Sequence, residues 1–196
     1  PTSHTVLPDS LGGIIHISVR GSFLDADHPA TGSILHACSQ HWRNRALLRD
    51  VAARQSRTTH GAAEAVDACV AFAEALSDAI EGAKRSEVLR DRIEPLAGAI
   101  GPIMAGSWRG MHRRDVRSSG YVAHSLEASL WSVGRAGDFK EAVLLAANLG
   151  DDADTTAAIT GQLAGALYGA SGIPDTWQTK VAWSSRIRTM VDGLMT

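Results

Sequence analysis

Apolar residues recur at steps of three and four along most of the chain, and this spacing predicts a helical protein. Between Gly61 and Gly82 the positions Ala62, Ala65, Val66, Cys69, Phe72, Ala73, Leu76 and Ile80 form one stripe of an amphipathic helix. A preceding helix is expected over 45–57, with Leu47, Leu48 and Val51 turned inward. Glycines at 98, 101, 106 and 110, together with Pro102, interrupt the pattern between 95 and 120, which reads as loop with short helical turns. After Gly120 the stripe returns through Val122, Leu126, Leu130 and Val133 and ends in Gly134-Arg135-Ala136-Gly137. Asp138 is a natural cap for the next helix, with Glu141 three residues on in a capping-box-like arrangement and Phe139, Val143 and Ala146 on the inner face. An apolar run from Ala157 to Leu167 follows, with Gly161, Gly165 and Gly169 four apart as a seam where another helix can approach closely. Pro174 starts a helix holding Trp177 and Val181, and a last helix holds Ile187, Met190, Val191 and Leu194. Trp131 and Phe72 sit on apolar stripes and are expected in the core.

The first 30 residues have a different character. Pro8, Gly12, Gly13, Gly21 and Pro29 surround the β-branched stretch Ile14 to Val19, so residues 1–30 read as an irregular segment around at most one short strand. Residues 31–196 then form one helical domain. The expected fold class is all-α, a multi-helix bundle, with no repeat of fixed period.

Composition narrows the possible partners. A chain of 196 residues with 44% apolar residues can bury one sizeable core. A net charge of -2, with both signs interspersed, leaves no broad basic face for nucleic acid. His112, Arg113, Arg114 and Arg117 make a small basic cluster that reads as a solvated face. Cys38 and Cys69 lie in no C-x-x-C pair, and no apolar run reaches the length of a membrane span, so a reducing, cytoplasmic setting without a membrane is expected. His4, His16, His28, His36 and His41 have no metal-ligand spacing, which argues against zinc.

The strongest chemical signal is Gly150-Asp151-Asp152-Ala153-Asp154-Thr155-Thr156, placed directly before the small-residue helix. Two readings are open. The carboxylates and hydroxyls can cap the helix, where negative charge is favoured by the dipole. Alternatively, Asp152, Asp154 and the Thr155 hydroxyl supply only oxygen, the ligand type preferred by Mg²⁺ and Mn²⁺. Three ligands from one segment leave an octahedral ion incomplete, so water, substrate hydroxyls and carboxylates from elsewhere must fill its shell. His60 follows Thr58-Thr59 and precedes Gly61 at a helix start, where a diphosphate could meet an imidazole and free N–H groups. Tyr121, next to Gly120, can stack on a planar ligand group or serve as an amphipathic ring at a helix entrance.

The segments Gly120-Tyr121-Val122-Ala123-His124-Ser125-Leu126-Glu127-Ala128-Ser129-Leu130-Trp131, Phe139-Lys140-Glu141-Ala142-Val143 and Asn148-Leu149-Gly150-Asp151-Asp152-Ala153-Asp154-Thr155 resemble, in order and spacing, the C-terminal half of the ADP-ribosylglycohydrolases. Ile173-Pro174-Asp175-Thr176-Trp177 continues the similarity, and Arg57-Thr58-Thr59-His60-Gly61 resembles the family's Thr-His loop, so that coverage runs from about Pro29 to the end. The resemblance implies an all-α fold without the family's N-terminal helices, a two-ion Mg²⁺ or Mn²⁺ centre, and hydrolysis of the bond between ADP-ribose and an acceptor. The substrate would be an ADP-ribosylated protein or an ADP-ribose-containing small molecule. It favours the metal reading of Asp152, Asp154 and Thr155, makes His60 a phosphate contact, and places Gly120 and Tyr121 beside the substrate. Thr31-Gly32-Ser33-Ile34-Leu35-His36 resembles the family's Asn-Gly-Ser-type loop, implying substrate contacts at Gly32 and Ser33, with Thr31 and His36 where Asn and Arg are usual. The family's Thr-Asp-Asp-Thr-like cluster has no counterpart; Asp25 and Asp27 are the only close acidic pair upstream, in a loop-like setting unlike that motif. Three readings follow: a hydrolase whose catalytic acid or base is not visible in the sequence, a catalytically silent ADP-ribose-binding domain, and a helical structural bundle with merely capped helices; self-association through apolar surface left uncovered is also expected.

Overall fold

A computed structural model describes residues 41–187 and Thr189. The irregular segment 1–30 with Asp25 and Asp27, the 31–36 loop with Gly32 and Ser33, and Met190, Val191 and Leu194 of the last helix lie outside the described residues. The described residues are all-helical: α1 (Arg45–Thr59), α2 (Ala63–Ile80), α3 (Arg85–Val88), α4 (Ile100–Met104), α5 (Val122–Arg135), α6 (Phe139–Ala147), α7 (Ala153–Tyr168) and α8 (Asp175–Gln178), with 3-10 turns at Arg113–Asp115 and Ala170–Gly172. None of their helices is long and apolar enough to cross a membrane.

The bundle is built around α2 and α7. Helix α7 packs against α6, α5 and α2, while α1 packs along α2. The spacing between 61 and 82 predicts a one-sided stripe, but every residue from Ala71 to Ile80 is buried. Alanines at 71, 73, 75 and 79 are thin enough for neighbours to close on all sides, and the polar Glu74 and Asp78 are enclosed with partners rather than turned to solvent. Arg45 and Arg92 each reach Asp78 at 2.5 Å, Arg90 reaches it at 2.8 Å, and Arg49 pairs with Glu74 at 2.7 Å. This cluster ties α1, α2 and the segment after α3 together. Burial pushes the Asp78 carboxyl upward, but the guanidiniums of Arg45 and Arg92 outweigh it and hold the group below the usual carboxylate range.

Other expectations are met with local corrections. On α1 the buried line is Leu48, Ala52 and Ser56; Leu47, expected inward, is 37% exposed because it lies a helical step away from that line. Asp138 caps α6 by accepting from Glu141 N at 2.7 Å, whereas the Glu141 carboxylate reaches past the cap to Gly137 N. Short helices do interrupt the 95–120 loop, and Pro102 is tolerated in the first turn of α4. Pro174 immediately precedes α8, which carries Trp177 but ends at Gln178, so Val181 falls outside it. Phe72 and Trp131 are core residues, and the Trp131 indole donates to the Met111 carbonyl at 3.0 Å.

Candidate functional site

The acidic turn is held open by its backbone. Gly150 at φ 87° and Asp151 at φ 56° both adopt left-handed conformation, which reverses the chain leaving α6 and delivers Asp152 to the start of α7. Asp152 N donates to Ser118 O at 2.7 Å, and the buried Ser118 and Thr156 hydroxyls bond to each other at 2.7 Å, fixing the turn to the loop before α5.

Asp152 occupies the cap position of α7 but its side chain makes no capping bond. The capping explanation of this carboxylate therefore fails in its direct form. Among the described residues, neither Asp152 nor Asp154 forms an ion pair; Asp154 is exposed in the first turn, and Asp152 and Thr155 are half-buried. The donor set consists of oxygens left uncommitted at one helix start, which fits a hard divalent cation. As a metal shell it would be partial: among the described residues no three His, Cys, Asp or Glu side chains gather as a metal site.

Gly120 and Tyr121 come to this same end of the bundle. A Cβ at position 120 would lie 3.4 Å from Asp152 Oδ2, so glycine leaves the carboxylate clearance on that side. Tyr121 is the cap residue of α5, 42% exposed, with its ring edge-on to His124 at a centroid distance of 5.0 Å. His124 Nδ1 lies 2.7 Å from the Ser119 hydroxyl.

The Tyr121 hydroxyl donates to Glu64 Oε2 at 2.5 Å, and this bond brings in the start of α2. Glu64 was not expected from sequence: an acid in the first turn of a helix is ordinary, and its partner is 57 residues away. Its other oxygen accepts from Ala99 N at 2.8 Å. Gly98, at φ 51°, leaves room for this carboxylate, which a Cβ there would overlap. The bond from Tyr121, and next the Ala99 N–H, hold the Glu64 carboxyl below its usual range, and Glu64 in turn raises the Tyr121 phenol.

Three helix starts are thus linked: α2 through Glu64, α5 through Tyr121 and Gly120, and α7 through Asp152. The caps Ala62, Tyr121 and Asp152 make no side-chain capping bond. Each start directs backbone N–H groups and the positive end of a helix dipole outward, an arrangement suited to anions. His60 is exposed just beyond α1, two residues before the α2 cap, with Nδ1 3.0 Å from the Thr59 hydroxyl.

Comparison with known proteins agrees with this architecture. The family model described as ADP-ribosylglycohydrolase matches residues 20–196. An ADP-ribosylarginine hydrolase Tri1 from Pseudomonas putida (strain GB-1) is 48% identical over 140 residues, covering 71% of this chain and 38% of the relative. A Tri1 hydrolase from Serratia proteamaculans (strain 568) is 40% identical over 163 residues, covering 82% of this chain and 44% of the relative. The chain thus spans less than half the length of these relatives. A solved structure titled ADP-ribosylglycohydrolase-related protein complex superposes with a TM-score of 0.76 at 30% identity, over 91% of this chain and 68% of that one. With the match extending from residue 20 to the end and an all-helical bundle of the same fold, the chain belongs to the ADP-ribosylglycohydrolase family.

Proposed function

We propose that this chain supplies the ADP-ribose-binding part of a metal-dependent ADP-ribosylglycohydrolase, with ADP-ribosylated arginine as the substrate. The observation that carries the proposal is an acidic turn whose Asp152 carboxylate makes no capping bond, set beside Gly120 at the start of α5, which Tyr121 in turn ties to the start of α2 through Glu64. Helix N-termini attract a diphosphate, whereas Asp152 and Asp154 repel one. A divalent cation held by Asp152 and Asp154 would remove the conflict.

Asp152, Asp154 and the Thr155 hydroxyl would hold Mg²⁺ or Mn²⁺, with two ions in the complete centre and its remaining ligands outside the described residues. When bound, the metal supplies charge neutralisation, orientation of ribose hydroxyls and acidification of water. The chain's own groups bind and orient. The backbone at Gly120 gives close approach beside Asp152, the exposed Tyr121 ring offers a face for adenine, and His60 with the N–H groups at the α2 start faces the diphosphate. Cleavage at the anomeric carbon develops oxocarbenium character, so holding the ribose in fixed orientation lowers its barrier. The arginine acceptor is inferred from the names of the Pseudomonas and Serratia relatives.

A second reading, an ADP-ribose-binding domain without catalysis, is favoured by the absence of a third gathered metal-binding side chain among the described residues. Hydrolysis of an ADP-ribosylated arginine substrate by the protein carrying the complete centre, followed by release of free ADP-ribose, separates the two. The hydrolase reading expects Mg²⁺-dependent release that an Asp152→Ala variant abolishes. ADP-ribose binding without release selects the binding domain, and release that persists at the wild-type rate in the variant contradicts the site assignment.

A further inference from the structure

We propose that Glu64 is a positioning residue of the ADP-ribose site: its carboxylate holds the Tyr121 phenol so that the ring stands as a fixed wall beside the acidic turn. The inference rests on the ADP-ribose reading of that site and adds a residue that makes no ligand contact itself. Three independent features single out Glu64. One oxygen accepts the Tyr121 hydroxyl at 2.5 Å and the other accepts Ala99 N at 2.8 Å, so the carboxylate is held from both sides. Gly98 provides the slot for it in a left-handed conformation, with no room for a side chain of its own. The clamped ring is 42% exposed and follows Gly120, the residue against Asp152.

A ring at a helix entrance without such a tether samples several rotamers, and ligand binding must then select one. Fixing it beforehand removes part of that ordering cost. The hydroxyl proton is already committed to Glu64, so recognition falls to the ring face. A planar group is favoured over a hydrogen-bond acceptor.

The chain contains only two tyrosines, Tyr121 and Tyr168, which makes a direct readout available. Tyrosine labelled with ¹³C at the ring carbon bearing the hydroxyl gives two resonances, assigned with Tyr121→Phe. ADP-ribose affinity in the presence of Mg²⁺ is measured on the same proteins by calorimetry. Glu64→Ala is expected to shift the Tyr121 resonance and weaken ADP-ribose by about tenfold, the scale of one charge-assisted hydrogen bond. Glu64→Gln, which can still bond both partners, should recover most of the affinity. In a Tyr121→Phe background Glu64→Ala should weaken binding no further, because the bond it would break is already gone. Equal losses in both backgrounds, or a shifted resonance with unchanged affinity, would overturn the positioning role. Should wild type bind no ADP-ribose, the site assignment itself fails and this inference with it, a failure distinguishable because it appears without any substitution. If the alanine variant does not fold, Tyr121→Phe removes the same bond from the other side: an affinity loss of about tenfold supports the role, and unchanged affinity overturns it.

Discussion

An Asp152→Ala, Asp154→Ala double variant is expected to lose detectable binding of Mg²⁺ and of Mg²⁺-dependent ADP-ribose while keeping its fold. The expectation follows from what these carboxylates do and do not touch. Asp152 makes no capping bond, so its removal spares the hydrogen bonds of α7. The helix dipole favours negative charge at this end, but Asp151, Asp152 and Asp154 also repel one another, and the two effects oppose. A stability change below about 1 kcal/mol is expected. Had the residues been caps, each loss would cost about 0.5–2 kcal/mol and leave ligand binding untouched. Urea denaturation beside calorimetry separates the outcomes: a stability loss without a binding loss contradicts the metal assignment.

The second large effect concerns the frame. Asp78→Ala is expected to destabilise the protein by about 3–5 kcal/mol, since it removes one partner of a buried ionic cluster and leaves guanidinium charge enclosed. Arg92 is the critical group, because its side chain is only 9% exposed and lies 2.5 Å from Asp78. For a domain of this size the loss corresponds to a fall in Tm of roughly 6–20 °C. The pH dependence follows from the depressed Asp78 carboxyl. Its contribution is complete above the ordinary carboxylate value of about 4 and is lost as pH falls through the lower folded value. The gap between wild type and variant should therefore narrow in acid. Thermal melts of the two proteins from neutral pH downward measure it; a shift of less than about 1 kcal/mol at neutral pH would show that the cluster is not a structural tie.

The physical range of each interaction decides how much of this was legible in the sequence. Helices α5 and α6 were legible because their signals are local: a stripe through Val122, Leu126, Leu130 and Val133, and Asp138 capping across three residues. The acidic turn was legible for the same reason, being six consecutive residues at a helix start. Its capping alternative could be weighed only once the Asp152 side chain had a place in space. Helix α2 misled because alanine carries little directional signal, so a rod enclosed on all sides looks like a one-sided stripe when only its larger residues stand out. Leu47 misled through a single helical step, and Val181 through a helix that stops at Gln178. Glu64, Asp78 and Arg92 were invisible as functional or structural partners. Their roles are contacts between segments, and a first-turn glutamate or a mid-helix aspartate has no local mark that sets it apart from a solvated charge.

The most direct test of the account is calorimetric titration of ADP-ribose into the wild-type protein, first with Mg²⁺ present and then after stripping with a chelator. The account predicts binding with Mg²⁺, loss of that binding after stripping, and recovery when Mg²⁺ or Mn²⁺ is restored. Binding of equal strength in the chelated protein would contradict it, leaving the helix starts as the anion site and the acidic turn without a metal.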